Sequence, residues 1–320
     1  MNPGTKPRIG ISSCLLGQNV RFDGGHKRDA FLVETFGAFV DWVPVCPEVE
    51  LGLGTPRETL RLVRTEAGIR MVNNKTGEDI SDAMRAWAEK RVGALSKMAL
   101  SGYVLKKDSP SCGMERVKVY GQAPGSMPSK SGRGLFAEVL KARLPELPVE
   151  EEGRLQDPRL RENFVERVFA YERLKAFFAA RWTVGGLVEF HTAHKLTLLS
   201  HSTVAYRELG RLVAGAKGLE RSDLQARYRE SFMRALAVVA TTRKHANGLM
   251  HIAGYFKRTL DLESRQELLV SIEDYRQGLV PLVVPLTLVR HHVRQTGEPY
   301  LRGQVYVDPH PKELMLRNHV

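Results

Sequence analysis

Three short apolar runs in the first third of the chain most constrain its fold. They lie at 8–11, 39–45 and 102–105, and segments long enough for helices separate them. Strands that alternate with helical segments are typical of parallel α/β units. One separating segment, SDAMRAWAEKRVGALSKMA, has apolar residues at helical spacing and starts at Ser81, a suitable N-cap. We therefore expect an α/β domain with a mainly parallel, Rossmann-like sheet.

The second half of the chain has a different pattern. The stretch 144–158, LPELPVEEEGRLQDP, contains prolines that disfavour a continuous helix, and we interpret it as the connection between two domains. Beyond it, apolar residues repeat at helical spacing, and Ser264 with Glu267 has the spacing of a capping box. The sequence predicts an α/β domain over 1–150 and an all-α domain over 159–320.

The chain has only three cysteines, and each follows a predicted strand: Cys14, Cys46 and Cys112. Because the carboxyl ends of parallel strands meet at one edge of a sheet, the three thiols are expected to converge there. They could bind Zn²⁺, hold an iron–sulfur cluster or form a redox pair, and their spacing matches no standard zinc or ferredoxin motif. Burial as small apolar residues is the alternative. Three protein ligands would leave one coordination position open for a substrate.

Polar residues beside the cysteines are candidates for proton transfer and substrate binding. Glu48 and Ser109 offer a carboxylate and a hydroxyl that could hand over a water proton next to a Lewis acid. The alternatives are a helix-start charge after Pro47 and ordinary turn chemistry. The remaining substrate-binding candidates, each of which could instead be a solvated turn or cap residue, are Ser13, Arg21, Asp23, His26, Asp108 and Ser111.

The net charge of +12 favours a polyanionic partner such as nucleic acid, with solubility alone as the alternative. The loop 122–134 is expected to be mobile, either lying over the site or facing solvent. The histidines on one predicted helix suit helix packing, RNA contact or a metal pair. The candidates for RNA contact are Lys130, Arg133, His191, His194 and Lys195. No apolar run is long enough for a signal peptide or a membrane helix, so we expect a cytoplasmic protein.

Three sequence blocks occur together in a family-specific order: ISSCLLGQNVRFDGGHK, VPVCPEVELGLGTPRE and LKKDSPSCG. Together they resemble the bacterial thiouracil/thiouridine desulfidase family over about the first 150 residues. FHTAHKLTLLSHS and HIAGYFKRTL resemble the YbgA-like helical domain that is fused to this family. The two-domain form is similar to the desulfidases that act on 4-thiouridine in tRNA.

The resemblance implies that the three cysteines hold a [4Fe–4S] cluster with one iron open to the substrate sulfur. It also implies acid–base roles for Glu48 and Ser109, non-redox removal of sulfur from tRNA without an obligatory electron donor, and tRNA docking by the helical half. A narrower version acts on free thiouracil or thiouridine. A non-catalytic RNA-binding or redox-sensing iron–sulfur protein and a zinc hydrolase are competing interpretations of the same residues.

Overall fold

The computed structural model describes residues 6–121 and 126–319, which form two compact units, Met1–Asp157 and Pro158–Val320. The strands of the first unit are β1 (Arg8–Ser12), β2 (Asp41–Val45), β3 (Leu60–Thr65), β4 (Gly68–Asn73), β5 (Gly102–Leu105), β6 (Val117–Tyr120), β7 (Ser129–Gly132) and β8 (Val149–Glu151). Its helices are α1 (Pro47–Glu50), α2 (Ser81–Ser96) and α3 (Leu135–Arg143).

The predicted parallel sheet is confirmed as a four-stranded sheet of order β2-β1-β5-β8. Each neighbouring pair in this first sheet is parallel, so the carboxyl ends of its strands share one edge. The strands β1 and β5 approach closely at Gly10, where a Cβ atom would lie 2.2 Å from the ring of Tyr103. A glycine in β1 therefore allows the aromatic side chain to fill the space beside the sheet.

The stretch interpreted as a connection, 144–158, instead contains β8, the last strand of the parallel sheet. Three consecutive glutamates that resembled a solvated linker, Glu150, Glu151 and Glu152, are buried. Burial is tolerated because each carboxylate has a partner: Glu150 accepts from Arg154, Glu151 from the Met114 N–H, and Glu152 from the Lys107 N–H. The strand thus belongs to the first unit.

A second sheet of order β4-β3-β6-β7 was not predicted. The pairs β3–β4 and β6–β7 are antiparallel, while β3–β6 is parallel. The expected mobile loop 122–134 contains β7, whereas 122–125 lie outside the described residues. One face of this sheet packs in an apolar cluster that includes Leu62, Met71, Met84, Val117, Val119 and Leu135.

In the second unit the regular elements of the described residues are all helices, and two apolar clusters lie inside it. The helices are α4 (Pro158–Ala179), α5 (Val184–His201), α6 (Thr203–Ala214), α7 (Arg221–Leu236), α8 (Thr242–Tyr255), α9 (Leu262–Gln277), α10 (Val283–Thr296) and α11 (Pro299–Arg302). No helix in the described part of the chain is both long and apolar enough to cross a membrane.

Two helix starts differ from the sequence prediction. The N-cap of α9 is Asp261, whose carboxylate accepts from the Ser264 N–H at 2.7 Å, so the helix begins before the predicted capping box. In α2, Ser81 is the first helical residue rather than the cap. Its hydroxyl oxygen accepts from the buried Met71 N–H at 2.6 Å. Ser81 therefore makes a tertiary hydrogen bond instead of capping its own helix.

Candidate active site

The three cysteines lie just beyond the carboxyl ends of three neighbouring parallel strands. Cys14 sits in a tight turn after β1, and its carbonyl oxygen accepts from the Lys27 N–H at 2.9 Å. Cys46 occupies the N-cap position of α1, directly after β2. Cys112 is 6% exposed in the loop after β5, and Ser12 forms a hydrogen bond with its thiol. All three are free cysteines.

These thiols line one cavity of about 390 Å³ at the edge of the parallel sheet. The two proposed proton-transfer residues, Glu48 and Ser109, line it as well. Sequence-predicted residues in the lining are Ser13, Cys14, Arg21, Cys46, Glu48, Asp108, Ser109 and Cys112. The fold therefore brings together residues that are almost 100 positions apart in the chain.

Burial makes the free thiols weak acids. It raises the pKa of Cys14 to about 11, and it raises the pKa of Cys46 and, more strongly, of Cys112. Cys46 also contributes to the raised pKa of Cys14, and both contribute to that of Cys112, which reflects their proximity. A raised pKa disfavours a free thiolate nucleophile, whereas coordination to a metal deprotonates a thiol directly.

A single-ion site is not formed by these donors. Within 6–121 and 126–319, no three His, Cys, Asp or Glu side chains form a group that could hold one metal ion. In a four-iron cluster the three cysteines would bind three different irons, which requires wider separation than three ligands on one ion. The shared cavity, rather than a tight ligand triangle, is the arrangement observed.

Glu48 is held in the cavity by two partners. Its Oε2 accepts from Nε of Arg57 at 2.9 Å and from Nη2 at 2.5 Å, and its Oε1 accepts from the Ser111 hydroxyl at 2.6 Å. Arg57 is anchored in turn, because its Nη1 donates to the carbonyl oxygens of Val20 and Gly54. The carboxylate therefore has a defined direction inside a largely buried ion pair.

The hydroxyl of Ser109 has a different hydrogen-bonding pattern. Its oxygen accepts from the N–H groups of Ser111 at 3.2 Å and Cys112 at 3.1 Å. Asp108, directly before it, has a left-handed φ of 59°, which turns the chain into this loop. Since both acceptor positions of a hydroxyl are then occupied, Ser109 retains its proton for donation.

Three predicted substrate-binding residues do not line the cavity. Ser111 is fully buried and acts on Glu48 rather than on the cavity space. Asp23 accepts from the Gly25 N–H at 3.0 Å, which lowers the pKa of its carboxyl group. His26 is exposed, and its Nδ1 accepts from the Arg28 N–H. Asp23 and His26 therefore stabilise the loop after Cys14, as the alternative interpretation of solvated turn residues predicts.

Several lining residues were missed from the sequence. Arg57, Lys106 and Lys107 line the cavity together with Lys27 and the partly exposed ring of Phe22. Lys106 forms an ion pair with Glu152 of the unpredicted β8 segment. All five lie within the three sequence blocks quoted above, and membership of those blocks is the signal that could have identified them. The lining carries five Lys and Arg side chains against the two carboxylates of Glu48 and Asp108.

The predicted RNA-contact residues have varied positions. Lys130 is exposed in β7 and Arg133 is exposed just after it, and neither lines the cavity. His191 and His194 are each only 2% exposed; His194 stacks on Phe190 with ring centroids 4.2 Å apart. These two buried imidazoles cannot contact an RNA backbone at the surface, so that prediction is corrected to helix packing. Lys195 is half-buried.

The structure defines an α/β unit with a three-thiol site at its sheet edge, joined to a helical unit. Residues 9–152 match the family model described as 2-thiouracil desulfurase, and residues 195–311 match the family of unknown function DUF1722. A relative from Escherichia coli K12, the uncharacterized protein YbgA, is 35% identical over 153 residues, which cover 48% of this chain and 90% of the relative.

Two further similarities concern a shorter part of the chain. The uncharacterized protein YbbK of Bacillus subtilis 168 is 31% identical over 111 residues, covering 32% of this chain and 71% of that protein. The solved structure of the [4Fe-4S]-dependent thiouracil desulfidase TudS is 31% identical and covers 50% of this chain and all of its own, with a TM-score of 0.40.

The chain belongs to the 2-thiouracil desulfurase family and carries a YbgA-like DUF1722 region after the family domain. It is therefore an enzyme of the desulfidase class, which cleaves a carbon–sulfur bond.

Proposed function

We propose that this protein is a [4Fe–4S]-dependent desulfidase that converts 4-thiouridine in tRNA to uridine and releases sulfide. The observation that carries the proposal is the convergence of Cys14, Cys46 and Cys112 with Glu48 in one cavity. We further propose that residues 1–150 are the catalytic domain and that residues 159–320 dock the tRNA.

The donor set fits a cluster held by three thiolates. All three cysteines are free, they line one cavity, and the described residues form no compact three-donor group for a single ion. Three thiolate donors suit a [4Fe–4S] cluster that keeps one open iron, and metal analysis of the purified protein distinguishes this cluster from zinc. A bound cluster would supply one thiophilic iron without a protein ligand, which polarises the thiocarbonyl and improves sulfide as a leaving group.

We propose different proton-transfer roles for Glu48 and Ser109, and their hydrogen bonding supports this division. Glu48 presents acceptor oxygens whose direction is set by Arg57 and Ser111, which suits a base that takes a proton from water. The Ser109 oxygen already accepts two N–H groups, which suits a donor to the substrate. Water adds to the thiocarbonyl carbon, the carbon–sulfur bond breaks, and one H₂S leaves for each water consumed, with no net electron transfer.

The charge of the cavity favours a phosphorylated substrate over a free base. Lys27 and Lys107 are exposed lining residues for which the described contacts include no carboxylate pair. An uncharged thiopyrimidine makes no use of such cations, whereas an RNA backbone does. The description of the matching family as a 2-thiouracil desulfurase favours the second candidate, a desulfidase for free thiouracil or thiouridine.

A direct experiment separates these candidates. The protein is purified without oxygen, its iron content and visible spectrum are recorded, and sulfide release is measured on 4-thiouridine-containing tRNA and on free 2-thiouracil. Turnover of the tRNA by iron-loaded protein, absent in Cys112→Ser, is the expected result. A colourless, iron-free and fully active enzyme would contradict the cluster. Turnover of the free base alone would replace the tRNA substrate by the second candidate.

A further inference from the structure

The outward face of the second sheet carries a row of three cations on neighbouring strands. Lys118 of β6 pairs in register with Lys130 of β7. Leu62 of β3 pairs with Val119, so Arg61 lies beside Lys118 on the face opposite the apolar cluster. All three side chains are exposed. We call Arg61, Lys118 and Lys130 the cation row.

The cation row is electrostatically unfavourable by itself. Neighbouring strands lie about 5 Å apart, so three like charges fall within about 10 Å, and like charges directly opposite destabilise a sheet. Among the described residues, none of the three has a carboxylate within ion-pair distance. The charge of another cation in the same sheet is neutralised: Arg70 of β4 forms ion pairs with both Asp79 and Asp82.

An aromatic ring lies in the middle of this face. Tyr120 follows Lys118 by two residues in β6 and is half-buried, and the guanidinium carbon of Arg61 lies 5.6 Å from its ring centroid. Cations interleaved with an aromatic ring on a sheet face are the elements that single-stranded RNA platforms use, through phosphate contacts and base stacking. Membrane-binding surfaces instead set cations beside exposed large apolar side chains. On this face the ring beside the cations is that of Tyr120, which is only half-buried and carries a polar hydroxyl.

We propose that the cation row and Tyr120 form a docking surface for the backbone of the RNA substrate. This inference rests on the proposed function and adds to it a surface on the catalytic unit, separate from the cavity lining and from the helical unit. Lys130 would then contact the RNA from strand β7, whereas the sequence analysis placed it in a loop that could lie over the site. The phosphate that Lys130 contacts belongs to a nucleotide other than the thiolated one.

The test compares two lysine pairs in the full-length protein. Lys118→Gln with Lys130→Gln removes two charges from the row. Lys90→Gln with Lys97→Gln removes two exposed charges from the region of α2, which packs against the opposite face of the sheet. Binding of a fluorescently labelled tRNA transcript is measured between roughly 50 and 200 mM salt, a range over which counterion release changes affinity strongly. Thermal unfolding midpoints verify that both variants are folded.

The row variant should bind the transcript roughly tenfold more weakly, with a salt slope reduced by about 1.5, because two phosphate contacts are lost. The control pair should keep the wild-type slope. Equal slopes for both variants overturn the docking surface, even if wild-type protein still releases sulfide from thiolated tRNA, in which case the proposed function stands. If wild-type protein neither binds tRNA nor desulfurates it, both fail. Loss of binding to phosphatidylglycerol vesicles alone would assign the row to a membrane surface instead.

Discussion

Arg57 donates two hydrogen bonds to a single oxygen of Glu48, from Nε at 2.9 Å and from Nη2 at 2.5 Å. The other carboxylate oxygen, Oε1, is held by the Ser111 hydroxyl. A carboxylate fixed at both oxygens can present a lone pair to a water in one direction only. In the proposed mechanism Arg57 is therefore a positioning residue, because it would act on the reaction through Glu48.

Substitution of Arg57 should reduce turnover without removing the cavity. We expect Arg57→Gln to lower kcat roughly tenfold to a hundredfold, because a displacement of about 1 Å at a catalytic group has effects of this size. Glu48→Gln should lower kcat more, by about 10² to 10⁴. Arg70→Gln, which breaks an exposed ion pair with Asp79 and Asp82, is the matched control and should keep the wild-type rate. An unchanged kcat in Arg57→Gln would remove its positioning role.

The serines of the Cys112 loop should differ in their effects. Ser109→Ala removes the proposed proton donor and should lower single-turnover sulfide release about a hundredfold. Ser111→Ala should have a smaller effect, since Glu48 keeps both Arg57 hydrogen bonds. Iron content is measured for each variant, because the Ser109 oxygen also accepts from the Cys112 N–H. Full activity of iron-replete Ser109→Ala would contradict its assignment as donor.

Gly134 should be essential for the position of the cysteine loop. A Cβ atom there would lie 2.4 Å from the Ser111 carbonyl oxygen and 2.8 Å from the Cys112 nitrogen, both of which are backbone atoms. Gly134→Ala should therefore displace the loop and reduce iron bound per protein after anaerobic purification. Gly93→Ala in α2 is the control, since nothing lies within 4 Å of its added methyl group. That variant should gain about 0.5–1 kcal/mol in unfolding free energy. Equal iron retention in the two variants would contradict the packing argument.

The helical unit should lose stability in mild acid. Burial lowers the pKa of His194 to about 3, so between pH 6.5 and 3 the unfolded chain binds a proton that the folded chain does not. Stability then falls with falling pH, by about 1.4 kcal/mol per unit for each such group. Burial likewise lowers the pKa of His245 to about 3 and of His310 to about 4. Glu162 opposes them, because burial raises its pKa to about 7.

Denaturant unfolding followed by helical circular dichroism between about pH 4.5 and 7.5 measures this slope. His194→Gln should reduce the pH slope by up to one proton, whatever its effect on absolute stability. His26→Gln, at an exposed position, is the matched control. A slope in His194→Gln identical to that of the wild type would show that this imidazole is protonated in the folded state.

The parallel sheet and the three thiols could be predicted because both depend on local patterns. Apolar runs mark the strands, and the rule for parallel sheets brings Cys14, Cys46 and Cys112 to one edge. The second sheet could not be predicted, since its β6 and β7 strands have only four residues each and β7, SKSG, has no apolar side chain. Arg57 contacts Glu48, nine residues away, and Glu152 contacts Lys106, 46 residues away. No local periodicity in the sequence predicts such pairs. For His191 and His194 the sequence allowed both helix packing and RNA contact. Only the burial of the two side chains in the folded unit distinguishes these interpretations.

Two glutamates, the last residue of β8 and the residue after it, determine when the cavity can form during synthesis. Glu151 holds the Met114 N–H and Glu152 holds the Lys107 N–H, so the last strand of the first unit secures both sides of the Cys112 loop. A ribosome must therefore release the chain beyond residue 152 before the thiols have a closed binding site. For the proposed cluster, loading is then expected late in the folding of this unit, although all three cysteines emerge earlier. A nascent chain that stalls before this strand would expose three cysteines without the walls that protect them.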